Sequence, residues 1–143
     1  MKQTNYLHPA LFTAKTRNMG QGVFTREALP AGLLLEMAPV IVLSCAECLL
    51  LDKTLLHDYI FVWGDDEKSC ALALGYVSLY NHSYSSNCEY EMDFKKSLMS
   101  VKTVHAVKRG AELFINYNGD WNNEKKVWFE TEPTSPLSPG GRT

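Results

Sequence analysis

Residues 79–90 read LYNHSYSSNCEY. The stretch holds two asparagines, one histidine, three serines and three tyrosines. A connecting turn needs far less, since an Asn and a Gly are enough to reverse a chain. Polar groups this dense, placed between an apolar approach and an alternating strand, have either buried main chain or a ligand to satisfy.

The strand that follows is the clearest local signal. In CEYEMDF (88–94), Glu89, Glu91 and Asp93 alternate with Tyr90, Met92 and Phe94. A period of two gives one acidic face and one aromatic and apolar face. KKS turns the chain, and LMSVKTV (98–104) is the expected antiparallel partner. The acidic face reads either as the solvated side of a hairpin or as a rim for a basic peptide laid along a strand edge.

Upstream, LFTAKT (11–16) and GVFTRE (22–27) read as strands joined through NMGQG, and ALPAGLLLEM (28–37) as a turn feeding a strand. VIVLSCAECLLL (40–51) is too short to span a bilayer and contains Glu47, so it reads as a buried strand running into a helix. Leucines at 49, 50, 51, 55 and 56 suggest a short amphipathic helix within 45–57, and DYIFVWG (58–64) a further strand before an exposed turn at Asp65, Asp66 and Glu67. ALPAGLLL (28–35) is echoed by AVKRGAEL (106–113), which suggests two similar strand–turn–strand corners in a small all-β fold. TEPTSPLSPGGRT (131–143) has the composition of a disordered tail. The domain is therefore expected over 1–130, with WNNEKKVWFE contributing a short closing segment.

At 143 residues the chain can bury about two-thirds of its unfolded surface without a staple. An apolar share of 45% and a net charge of −2, from 14 basic and 16 acidic side chains, argue against a nucleic-acid backbone binder. MKQTNYLHPALFTAK lacks the apolar stretch of a secretory leader. An intracellular protein, cytoplasmic or nuclear, is expected, with no membrane partner. Cys45-Ala-Glu-Cys48 is a C-x-x-C without a second half, because Cys70 and Cys88 stand alone. Reduced, buried thiols are expected rather than a metal or redox site.

Three stretches belong together: MGQGVF (19–24), LYNHSYSSNCEY (79–90) and ELFINYNGDW (112–121). Taken singly, G-x-G is a tight turn, Asn-His-Ser a polar turn, and a Tyr ending an apolar strand a packing residue. In this order and spacing they resemble the SET-domain protein lysine methyltransferases, through Gly20-Gln21-Gly22-Val23-Phe24, Asn81-His82-Ser83 with Asn87-Cys88, and Glu112-Leu113 with Tyr117. The resemblance runs over about residues 10 to 122. It implies the family's β-clip fold, mainly β with a pseudoknotted C-terminal segment, and transfer of methyl groups from S-adenosylmethionine to a lysine of a basic protein such as a histone. A catalytically silent SET-fold module binding a lysine peptide or the cofactor is the alternative.

Carried over residue by residue, the resemblance makes Tyr117 the catalytic tyrosine. It makes Met19, Gly20, Gln21, Gly22, Asn81, His82 and Trp128 the cofactor-binding set, and Tyr59, Tyr90, Ile115 and Trp121 the walls of the lysine channel. Aromatic faces suit a substrate that becomes a methylammonium, although each of these rings has a core role as its alternative. Tyr90 and Ile115 occupy the positions associated with control of methylation state, and together they leave that state open. The cysteine-rich zinc-binding segments that flank many family members are not seen in this sequence, so no metal is expected, and the lid is expected from Trp121 and VWFE, with a second subunit of a homodimer as a further candidate contributor. Ser78 and Asn116 stand where the family usually has an Arg and an acidic residue.

Overall fold

The hairpin expected at 88–104 is present in the structure, a computed structural model that describes residues 5–64 and 67–117. Strand β8 (Cys88–Asp93) pairs antiparallel with β9 (Leu98–Thr103), placing Tyr90 opposite Val101 and Met92 opposite Met99. Val101 and Met99 are fully buried, and Tyr90 and Met92 pack against the core beside them. Glu91 and Asp93 are exposed, so the alternation separates the two faces as its period requires.

Before them the chain forms β1 (Tyr6–Leu7), β2 (Leu11–Lys15), β3 (Gln21–Thr25), β4 (Leu34–Leu43), helix α1 (Cys45–Leu51), a 3-10 turn (Leu55–Tyr59), β5 (Ile60–Trp63), β6 (Ser69–Ala73), a second 3-10 turn (Val77–Leu79) and β7 (Asn81–His82). Strand β10 (Glu112–Ile115) comes last. One sheet has the order β5-β6-β4-β9-β8, with β1 also on β4, and the other the order β2-β3-β10-β7. The echoed corners meet each other: Leu29 and Val107 form an antiparallel bridge, exchanging hydrogen bonds of 2.9 and 2.8 Å.

Strand β4 ties its sheet together by changing partners. Leu34 to Pro39 pair with β9, and Val40 to Leu43 with β6. A bulge lies between Leu34 and Glu36. It breaks the in-out alternation, so that Leu35 and Glu36 are both buried.

The run 40–51 departs from expectation. Ile41 and Val42 are 48% and 44% exposed, and α1 has no buried residue, because this end of β4 extends past β9. Helix α1 starts on a reciprocal cap between Ser44 and Glu47 and not on an apolar face. The cysteines need a correction too. Cys48 and Cys70 form a disulfide, Cys45 is exposed, and only Cys88 is a buried free thiol. With α1 against β6 the bridged Cα atoms lie 6.1 Å apart, within bonding reach.

No group of metal-ligating side chains forms among the described residues, and none of their helices is long and apolar enough to cross a membrane. Asp65, Asp66, Trp121, Trp128, the boundary near 130 and the expected tail lie outside the described residues.

Candidate active site

Strand β10 assembles the three sequence stretches. On one side it runs antiparallel to β3, with Glu112 opposite Phe24 and Leu113 opposite Val23. On the other it runs parallel to β7, with Phe114 beside Asn81 and Ile115 beside His82. The short β7 pairing is extended by Ser83, whose N–H donates to the Ile115 carbonyl at 3.1 Å. The side chain of Asn87 then acts as a further stretch of strand: its Nδ2 donates to the Glu112 carbonyl at 3.0 Å, and its Oδ1 accepts the Phe114 N–H at 2.8 Å.

Asn81, 4% exposed, spends its amide on this junction. Nδ2 donates to the Gln21 carbonyl at 3.2 Å and to Glu112 Oε2 at 2.8 Å. Burial raises the Glu112 carboxyl above its ordinary pKa, and the Asn81 bond partly offsets that. Gly22 makes the approach possible, because a Cβ there would lie 2.5 Å from Glu112 Oε2 and 3.0 Å from Asn81 Nδ2. Gly20 has a different reason: its φ of +68° is in the left-handed region, and it faces open space. The bend is closed by Thr16, whose N–H and hydroxyl both donate to the Gly20 carbonyl and whose Oγ1 accepts the Met19 N–H.

Tyr117 sits where β10 ends. Its N–H donates to His82 Nδ1 at 3.1 Å, which requires that nitrogen to be unprotonated. The His82 ring lies between Tyr84 and Tyr117, with centroids 4.4 and 4.9 Å away. The Tyr117 hydroxyl donates to the main-chain carbonyl of Tyr80 at 2.9 Å. Tyr90 reaches toward the same residue, its hydroxyl 3.4 Å from the Tyr117 carbonyl, and its ring packs against Phe61.

The SET domain family profile matches residues 20–118. The chain belongs to the SET-domain family. A histone-lysine N-methyltransferase of Schizosaccharomyces pombe, named as H3 lysine-37 specific, is 34% identical over 121 residues, covering 84% of this chain and 77% of that protein. Among solved structures, a candidate histone methyltransferase of Plasmodium falciparum superposes with a TM-score of 0.58 at 23% identity, covering 80% of this chain and 98% of that one. A humanized mutant of the Chaetomium thermophilum Polycomb Repressive Complex 2 superposes at 0.66 and 18% identity, over 81% of this chain and 16% of that one. Both superpositions report the fold alone. This SET domain is an S-adenosylmethionine-dependent protein-lysine N-methyltransferase.

The residues present fit that cofactor. The turn at 16–20 leaves room beside Gly20 while Gly22 keeps Asn81 and Glu112 close behind it, and His82, half-buried, adjoins both the turn's partner strand and Tyr117. Of the expected channel walls, Ile115 is fully buried next to His82, and Tyr90 is beside Tyr117. Tyr59 is tied in through its main chain, its carbonyl accepting the Ser78 hydroxyl at 2.9 Å.

The two departures from the family pattern are both buried and bonded. Ser78 also reaches the Ala73 carbonyl, and Asn116 donates to the Tyr84 carbonyl at 3.3 Å. The sequence reading assigned no role to Glu36 or Tyr80. The available signal was Glu36 itself, the one charged residue in LLLEMAPVIVL (33–43). A charge in such a run is buried with a partner or is misplaced.

Proposed function

We propose that this SET domain methylates a lysine in the basic tail of histone H3, with Tyr117 orienting the amine and the 19–22 turn, Asn81 and His82 holding the cofactor. The observation that carries this reading is the Tyr117–Tyr80 hydrogen bond beside the Asn81-His82 pair. S-adenosylmethionine supplies, when bound, a methyl group on a sulfonium, ready for in-line transfer. The chain's own tasks are to align the amine, exclude water and receive it uncharged.

Lysine titrates at about 10.4 in water, and apolar walls such as Ile115 and the Tyr90 ring favour its neutral form. The Tyr117 proton is held by the Tyr80 carbonyl. Its oxygen is therefore left as an acceptor that takes an N–H of the amine and points the nitrogen lone pair along the transfer axis. A hydroxyl already engaged as a donor serves to orient the amine.

Strand β8 is last in its sheet and carries Glu89, Glu91 and Asp93, an edge suited to a basic segment adding as a further strand. The S. pombe relative, named as H3 lysine-37 specific, makes the H3 segment around lysine 37 the first peptide to test, and a histone substrate would be met in the nucleus.

The test is transfer of labelled methyl to recombinant H3 and to H3 with that lysine changed to arginine, beside Tyr117→Phe. Label lost with the H3 change supports the site, and label retained on H3 moves it to another lysine. Absence of label on any core histone, with cofactor bound, removes histones from the reading.

A further inference from the structure

We infer that Glu36 is a positioning residue for Tyr117, acting through Tyr80 from inside the core. This rests on the reading of Tyr117 given above. Glu36 is 1% exposed and the bulge in β4 turns it inward, in phase with Ala38 and Val40. One carboxyl oxygen accepts the Tyr76 N–H at 2.6 Å, and the other accepts the Tyr80 hydroxyl at 3.0 Å. Gly75 has a φ of +64° and lies so close to Glu36 Oε2 that no Cβ would fit. The carboxyl therefore holds the 75–80 segment by two hydrogen bonds, one to the Tyr76 main chain and one to the far end of a fully buried tyrosine ring, with Gly75 leaving the room for it.

The next atom group in that chain is the site itself. Tyr80 presents its carbonyl to the Tyr117 hydroxyl at 2.9 Å, and its neighbour Asn81 opens β7. Moving Tyr80 along or about its ring axis shifts the acceptor that aims the Tyr117 oxygen. A shift of about 1 Å in a positioning contact can cost on the order of a hundredfold in rate.

The carboxyl is also placed to respond to pH, since burial raises its pKa from 4.5 to about 7 against the opposing pull of its Tyr76 and Tyr80 bonds. The groups facing it from other elements are the Tyr76 main chain and the Tyr80 hydroxyl from the 75–80 turn. The Cys88 thiol of β8 lies beside Tyr80, and Leu7 of β1 and Val101 of β9 are its uncharged strand partners. Above pH 7 the ionised form accepts both bonds with charge assistance. Below it, a protonated oxygen must donate, which weakens the hold on Tyr80 or reverses it.

The experiment compares wild type with Glu36→Gln, whose amide can accept from Tyr76 and donate to the Tyr80 oxygen. Cofactor affinity, peptide KM and kcat are measured from pH 5.5 to 9. Expected is a kcat lower by about tenfold at pH 8 with cofactor affinity within about twofold, and a wild-type to variant kcat ratio that rises through a midpoint near 7. Taking the ratio cancels the limb due to the substrate amine. A folded variant with wild-type kcat and a flat ratio overturns the inference. Tyr80→Phe removes the bond that Glu36→Gln only reverses, and is expected to lower kcat at least as much, with a double variant no worse than Tyr80→Phe alone.

If neither variant folds, wild-type profiles with a lysine peptide and with a less basic aminoethylcysteine peptide decide. A step that stays near pH 7 with both supports the inference, and a single step that follows the amine overturns it. Tyr117→Phe separates the two readings. If it retains full activity the catalytic assignment fails, whereas its loss together with an unaffected Glu36→Gln rejects Glu36 alone.

Discussion

The Tyr117 hydroxyl donates to the main-chain carbonyl of Tyr80 at 2.9 Å, across 37 residues of chain. A carbonyl acceptor cannot rotate away as a side chain can, so the phenol oxygen is fixed by the backbone that also begins the Asn81-His82 strand. The Tyr117 phenol and the start of β7 are consequently held as one structural unit.

Tyr117→Phe removes that oxygen and leaves the ring packed on His82. We expect kcat to fall about a hundredfold or more, cofactor affinity to hold, and stability to drop by about 1 kcal/mol for one lost hydrogen bond. Single-turnover methyl transfer and a chemical melt measure the two parts separately.

The two glycines of the turn are expected to fail differently. Gly22→Ala drives a Cβ into Glu112 Oε2 and Asn81 Nδ2, prising apart the junction of β3, β7 and β10. Cofactor affinity should weaken at least about tenfold, with about 1–3 kcal/mol lost in stability. Gly20→Ala meets no atom and bears only its left-handed backbone, costing about 1 kcal/mol. Calorimetric titration with the cofactor, beside a melt, distinguishes a clash from strain.

Asn87 supplies one donor and one acceptor to β10. Asn87→Asp keeps the acceptor for the Phe114 N–H but turns an oxygen toward the Glu112 carbonyl, and Asn87→Ala loses both bonds. Both variants should lose about 1–3 kcal/mol, and the Asp variant should recover part of its loss at low pH, when its carboxyl can donate again. Urea midpoints at pH 5 and pH 8 check this.

Stability should also depend on pH through Glu36. Its folded pKa of about 7 lies above the ordinary 4.5, so the folded chain binds this proton more tightly. The contribution is complete below pH 4.5, is lost as pH rises toward 7, and is constant above. Glu36→Gln cannot titrate, so its stability relative to wild type should rise across that window. Paired melts at several pH values test the sign.

The Cys48–Cys70 bridge closes a loop of 22 residues and should contribute about 3 kcal/mol, lost on reduction or in Cys70→Ser. Alkylation of the native, unreduced chain should label Cys45 at once. Cys88 should react only after unfolding, since burial excludes reagent and raises its thiol pKa. Mass spectrometry counts the labels.

The sequence by itself determined the hairpin of β8 and β9, because a period-two pattern admits one pleat. It also determined the family, through short motifs whose residue types answer local demands: glycines where backbone is left-handed or crowded, Asn and His where strands are too short to pair fully. It marked the bridging corners at 28–35 and 106–113 as alike without showing that Leu29 and Val107 join them. Tertiary structure decided everything that depends on which residues are covered. The exposure of Ile41 and Val42, the polar start of α1 and the Cys48–Cys70 bond follow from where β4 leaves β9, which no local pattern records. Glu36 is the sharpest case. Its inward turn needs a bulge against β9, its partners lie 40 and 44 residues away, and only the packed core makes an isolated acidic letter into a buried carboxyl behind the active site.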